Sequence, residues 1–187
     1  CIRDSMHPVS PYGCSKLFAY HATRNYRKSF GLFAANGILF NHESPRRGSN
    51  FVTSKIVKTA VEIKLGVKKD LVLGNLDSKR DWGHSKDYVR AMHLILGHKE
   101  PDDFVVATGE TRTVREMLQL VFDMLGLNYL DYVKQDSRYL RPEELPYLRG
   151  DSSKARDVLG WSPRISFEEL IEEMVSFWSN SLGLRDR

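Results

Sequence analysis

"SPYGCSKLFAY", residues 10–20, opens the part of the chain whose reading decides the fold. After the Ser-Pro turn, the apolar positions Leu17, Phe18, Tyr20, His21 and Tyr26 predict a helix over residues 11–29, ended by Gly31. "LFAANGILFN", residues 32–41, follows as a short buried strand closing at Asn41. The same alternation then recurs. A helix is expected over residues 53–65 with Thr53 as its N-cap, then the strand "LVLGN" at 71–75 and the loop "LDSKRDWGHSK" at 76–86. A helix over 87–96 and the strand "DFVVATG" at 103–109 come next, and Thr113 caps a further helix through 125. A polar segment with Pro142 and Pro146 leads to a short helix in "GDSSKARDVLGW", stopped by Gly160. "SFEE" at 166–169 is a capping box for a last helix running to about residue 180. Strands alternating with helices argue an α/β fold. About three strands are evident, too few for a complete doubly wound sheet.

The helix at 11–29 also carries chemistry. Tyr12 and Lys16 are four apart, on one helical face and one above the other. A cation on the flank of a phenol favours the phenolate, which makes the pair a candidate base. Tyr-x-x-x-Lys is common by chance, and a packed Tyr with a solvated Lys is the plainer reading. The next strand ends in the polar loop "NHESPRRGSN", residues 41–50, and strand exits of this kind are where open α/β sheets hold ligands.

Composition narrows the classes. The 187 residues are 41% hydrophobic and 28% charged, ordinary for one globular unit. The net charge of +4 is carried by short basic clusters interleaved with acids, which suits small anionic ligands and makes a nucleic-acid stripe remote. Cys1 and Cys14 give neither a disulfide framework nor zinc spacing and fit a reducing, cytoplasmic setting. His7, His21, His84, His93 and His98 show no ligand spacing with a second His or Cys, so no metal is expected. No apolar run reaches membrane-spanning length. The chain begins at Cys1 without an initiator Met and lacks the Gly-rich dinucleotide fingerprint, so the expectation is the back part of a longer protein.

Four stretches together resemble one family: "SPYGCSKLFAYHATRNYR", "GILFNHESPRRGSNFVTSKI", "LGNLDSKRDWGHSKDYVRAM" and "RPEELPYLRGDSSKARDVLGWSPRISFEELIEEMV". They are similar to the extended short-chain dehydrogenases/reductases and, within these, to the GDP-mannose 4,6-dehydratase family. Tyr-x-x-x-Lys is shared across the superfamily, whereas "NHESPRRG" and "RDWGHSKDYV" are far narrower. Ser54 departs from the pattern, standing where the family often has Arg.

The resemblance implies an NAD(P)-binding Rossmann-like α/β fold without its N-terminal Gly-rich half. Residues 1–75 would be the end of the Rossmann-like core with the Tyr/Lys helix. Residues 76–187 would be mainly a substrate-binding part interleaved with that core. It implies Tyr12 as general base and Lys16 as its electrostatic partner, both also touching the cofactor, NADP, together with His42 and Arg47. Asn41, Lys55, Arg80, Arg141 and Glu144 would bind the substrate, GDP-mannose, with Arg80 at the pyrophosphate and Glu144 at the guanine. For each a plainer reading stands beside it: a turn Asn, an exposed Lys, a solvated basic loop, an Arg80–Asp81 surface pair, a helix-start Glu. Trp82 and Trp161 are read as packing residues. The family's catalytic Thr and Glu would lie before residue 1, so the segment alone is expected to be inactive. A homodimer or homotetramer is implied, with no nucleic acid and no membrane. The rivals are another enzyme of this superfamily, an epimerase or a 4-keto-6-deoxymannose reductase, and a non-catalytic nucleotide-binding fragment.

Overall fold

The protein is described by a computed structural model that covers residues 6–140 and 145–184. Helix α1 (Pro11–Phe30) leads into β1 (Asn36–Leu39) and β2 (Asn41–Glu43), then α2 (Val52–Lys64), β3 (Leu71–Leu73), β4 (Lys79–Arg80) and β5 (Trp82–His84). There follow α3 (Ser85–Leu96), β6 (Asp103–Val106), β7 (Arg112–Thr113), α4 (Val114–Met124), β8 (Val133–Gln135), α5 (Ser153–Leu159) and α6 (Phe167–Leu182). The helices stop where the chain's punctuation says they should. Gly31 and Gly160 close α1 and α5 in the left-handed conformation, at φ 63° and 62°. Thr113 with Glu116, and Ser166 with Glu169, form complete capping boxes on α4 and α6.

Four expectations are corrected. The strand read at 32–41 is two strands, and Asn41 begins the second rather than closing the first. The stretch 76–86, read as loop, contains β4 and β5. Eight short strands are present among the described residues where about three were evident. Strands of two or three residues leave too few positions for an alternating pattern to show, and pairing with distant segments defines them. Thr53 does not cap α2; Phe51 holds that position with no side-chain cap, and the Thr53 hydroxyl donates instead to Glu43.

β1 pairs in parallel with β6, from Asn36 opposite Asp103 to Leu39 opposite Val106. β2 pairs in parallel with β5, from Asn41 opposite Trp82 to Glu43 opposite His84. Between them the Phe40 amide donates to the Val106 carbonyl at 3.0 Å. The run 36–43 therefore changes partner at Phe40, and the polar loop after Glu43 leaves from that junction. β3 pairs in parallel with β8, and β4 pairs antiparallel with β7.

Two apolar clusters hold these strands. One joins α2, α4 and α6 through Ile56, Val57, Met117, Phe122, Leu170 and Met174. The other joins α3, β6 and α5 through Tyr88, Ile95, Phe104 and Ala155, with Trp161 just beyond α5. Burying a side chain such as Phe122 completely is worth about 2–3 kcal/mol. Because α2 packs on α4 and α6, the core runs across residue 75. Gly74 permits one close approach: a Cβ there would lie 2.5 Å from the Tyr139 carbonyl oxygen. Among the described residues no helix is long and apolar enough to cross a membrane.

Candidate active site

Tyr12 sits in the first turn of α1, which Ser10 caps by accepting the Gly13 amide at 3.0 Å and Pro11 enters with no N–H to satisfy. Its side chain is 71% exposed. The Lys16 ammonium lies one turn on, 5.4 Å from the centre of the phenol ring. The helix is held from its other end. Arg27 binds Asp103 through both carboxylate oxygens at 3.0 Å, and Asn36 donates to the same carboxylate at 2.9 Å. Burial would push the Asp103 carboxyl up, but the hydrogen bonds from Arg27 and Asn36 outweigh it and hold the group below its ordinary range.

His42 lies one residue past the start of β2. Its Nδ1 is 2.9 Å from the Phe40 carbonyl, an acceptor only, so Nδ1 carries the proton. In the neutral ring Nε2 is then the acceptor. The ring stacks on Tyr88 at 4.9 Å, and the Tyr88 hydroxyl is buried without a hydrogen-bond partner.

Arg47 is held on two sides. Its Nε forms an ion pair with Glu43 at 3.1 Å, and its guanidinium carbon lies 3.5 Å from the centre of the Phe51 ring. Glu43 is 2% exposed and also accepts the Thr53 hydroxyl at 2.7 Å. Among the described residues the terminal amino groups of Arg47 make no hydrogen bond, while the side chain keeps 25% of its surface. Arginine in this state offers unspent donors suited to a phosphate.

Lys55 and Arg80 contact Tyr139 and Leu145 respectively. The Lys55 ammonium donates to the Val72 carbonyl at 2.7 Å and lies 4.7 Å from the centre of the Tyr139 ring. Burial, helped by Lys68, lowers its pKa. Arg80 donates to the Leu145 carbonyl at 2.7 Å and to its neighbour's carbonyl at Lys79. Arg141 and Glu144 themselves lie outside the described residues. Of the expected residues the structure brings Tyr12 and Lys16 together on α1, while His42, Arg47, Lys55 and Arg80 are each held by other parts of the chain. Asn41, half-buried, starts β2 opposite Trp82.

Sequence reasoning missed Glu43, Tyr88 and Asp81. Asp81, read as a surface partner of Arg80, is fully buried. It accepts the Thr108 amide at 2.9 Å, the Thr108 hydroxyl at 2.7 Å, the Gly109 amide at 3.0 Å and the Gly150 amide at 3.2 Å. Beside these loops lies a polar cavity of about 490 Å³ bordered by Glu110, Arg149, Ser152 and Arg156, lined by none of the residues expected at the site. Trp82 and Trp161 are packing residues as read, Trp161 donating to the Asp87 carbonyl at 2.9 Å. No group of His, Cys, Asp or Glu able to hold a metal occurs among the described residues.

Parallel strands with covering helices define an α/β fold, and solved structures place it with the NAD(P)-binding extended short-chain dehydrogenases/reductases. The fold matches that of RMD from Pseudomonas aeruginosa complexed with NADPH, with a TM-score of 0.88 and 25% identity over 97% of this chain and 60% of that one. A dTDP-glucose 4,6-dehydratase from Streptomyces venezuelae with NAD bound matches at a TM-score of 0.85 and 22% identity, over 98% of this chain and 55% of that one. The family model described as GDP-mannose 4,6 dehydratase matches residues 3–174, and the chain belongs to that family. GDP-mannose 4,6 dehydratase 2 of Arabidopsis thaliana is 57% identical over 169 residues, which is 90% of this chain and 45% of that protein. The human GDP-mannose 4,6 dehydratase is 48% identical over 186 residues, 90% of this chain and 50% of that protein. The chain spans about half the length of the curated relatives it matches.

Proposed function

We propose that this chain is the C-terminal portion of an NADP-dependent GDP-mannose 4,6-dehydratase, a lyase forming GDP-4-keto-6-deoxymannose and water. The observation that carries the reading is the Tyr12–Lys16 pair, standing open on α1 in a chain of this family. The Tyr12 phenolate takes the proton of the sugar 4-hydroxyl, and the Lys16 ammonium stabilises the phenolate and binds the nicotinamide ribose. NADP⁺, when held by Tyr12, Lys16, His42 and Arg47, would supply hydride acceptor and donor chemistry for the sugar with no net change in its own oxidation state. The 4-keto group acidifies the C5 hydrogen, and water is lost across C5–C6. By family resemblance the Thr and Glu that assist this loss, and the Gly-rich loop, belong to polypeptide outside these 187 residues. The segment alone is therefore expected to be inactive.

The residues present fit an anionic dinucleotide. His42 offers Nε2 as an acceptor for a hydroxyl or amide of the ligand, and Arg47 offers to phosphate amino groups with no partner among the described residues. The NADPH of the Pseudomonas aeruginosa structure supports NADP as the nicotinamide cofactor. Asn41, Arg80 and Lys55 are assigned to the sugar, the pyrophosphate and the nucleotide. Arg141 and Glu144 are assigned to the guanosine, because a carboxylate can accept both the guanine N1–H and the exocyclic amine. Family membership supports a homodimer or homotetramer, and the exposed free thiol of Cys14 suits a reducing cytoplasm.

The test is to supply the full-length protein that contains this segment with GDP-mannose and NADP⁺ and follow sugar and cofactor together. A product lighter by one water, with no net NADPH formed or consumed, is the expected result. Stoichiometric NADPH consumption would make the protein a reductase, and inversion without loss of water an epimerase.

A further inference from the structure

We infer that Glu43 is a positioning residue: its buried carboxylate fixes Arg47 so that the guanidinium presents its terminal amino groups to an anionic phosphate. The inference rests on the assignment of Arg47 to the cofactor and names what that assignment requires.

A carboxylate buried to this degree needs a reason to stay. Glu43 ends β2, whose register against β5 fixes its backbone, and the Ser85 hydroxyl donates to its carbonyl at 3.0 Å. Its side chain turns inward, where one oxygen, Oε2, accepts the Thr53 hydroxyl at 2.7 Å and faces Arg47 Nε at 3.1 Å. Thr53 thus fixes the carboxylate, and the carboxylate fixes Arg47. Phe51 completes the seat by covering one face of the guanidinium at 3.5 Å. Nε is buried and makes no hydrogen bond among the described residues, so its contact with Glu43 is that of an ion pair. A long flexible side chain restrained at Nε and on one face loses little further rotamer freedom when its free end meets an anion. The two residues are four apart, Glu43 at the end of β2 and Arg47 in the loop after it, where no helical periodicity would bring them together. Thr53, at the start of α2, closes the arrangement by giving up the capping role its position suggests.

The arrangement makes Glu43 act through Arg47 and not on the ligand itself. The neutral isostere keeps the shape and an acceptor for the Thr53 hydroxyl but removes the charge that faces Arg47 Nε.

The experiment compares full-length wild type, Glu43→Gln and Glu43→Asp. Phenylglyoxal labelling of Arg47 is read by mass spectrometry, and NADP⁺ affinity by titration calorimetry. Labelling of Arg47 should rise about threefold or more in Glu43→Gln, with NADP⁺ affinity falling about tenfold, since a charge-assisted contact is lost. Glu43→Asp, which keeps the charge but withdraws it by one carbon, should lie between, and it carries the test should the Gln variant not fold. In an Arg47→Ala background, Glu43→Gln should add nothing to the loss of affinity, whereas a merely structural role would add its own. Labelling unchanged in both Glu43 variants overturns the inference, as does an additive loss in the double variant. Failure of NADP⁺ to protect Arg47 in the wild type instead strikes the assignment of Arg47 to the cofactor, and leaves the labelling difference to be read by itself.

Discussion

At the scale of single residues, Asp81 does more than its position in "RDWGH" suggests. Its carboxylate gathers donors from residues 108–109 and from residue 150, and so ties the end of β4 to two loops distant in sequence. Replacing it by Ala leaves three backbone amides and a hydroxyl in or near the interior without an acceptor. Asp81→Ala is expected to destabilise the protein by about 3–5 kcal/mol, read as a lowered urea midpoint. Asp81→Asn, which keeps an acceptor oxygen, should cost visibly less. A residue of this kind is hidden from sequence reading because its burial depends on donors 27 to 69 positions away. Glu43 is hidden for a related reason, since its ion partner lies in an irregular loop. Trp82 and Trp161 were legible because large aromatic side chains beside apolar neighbours are seldom anything but core.

Among elements, the helices were legible almost to their ends, because each carries its own start and stop chemistry. The boxes on α4 and α6 depend on residues three apart and need nothing from the rest of the molecule. Thr113→Ala is expected to cost about 1 kcal/mol, measured by thermal or urea unfolding, while Thr113→Ser should be nearly silent. The strands β4 and β5 were not legible, since pairing across the fold makes them strands. The attachment of α1 is an element-scale property with a pH signature. The Asp103 carboxyl is lower in the folded state than in the unfolded chain, so its contribution is present above the unfolded value and is lost as pH falls through the folded one. The stability gap between wild type and Asp103→Asn should be full at pH 7 and shrink from about pH 4 downward in urea melts. A gap that is the same at pH 3 and pH 7 would show that the Arg27–Asp103 tie does not anchor the helix.

For the whole molecule, the core that unites α2, α4 and α6 and the cluster around Tyr88 and Trp161 form the frame on which the proposed site is hung. The frame brings the junction at Phe40, the loop with Arg47 and the contacts of Lys55 and Arg80 into defined places. It leaves the face of α1 with Tyr12 open, together with Phe18, Tyr26 and Phe30. The fold class and the Tyr/Lys helix could be read from the chain because a helix-to-strand succession and a four-residue spacing are local. The way the other expected residues are held could not, because their contacts come from segments far apart in sequence. The claim on which everything else depends is that Tyr12 accepts the proton of the sugar hydroxyl. The most direct measurement is GDP-mannose turnover by the Tyr12→Phe variant of the full-length protein at saturating NADP⁺, with cofactor affinity and melting temperature measured alongside. Turnover should fall by about 10² to 10⁴-fold, with affinity and melting close to wild type. A variant that dehydrates GDP-mannose at the wild-type rate would contradict the account.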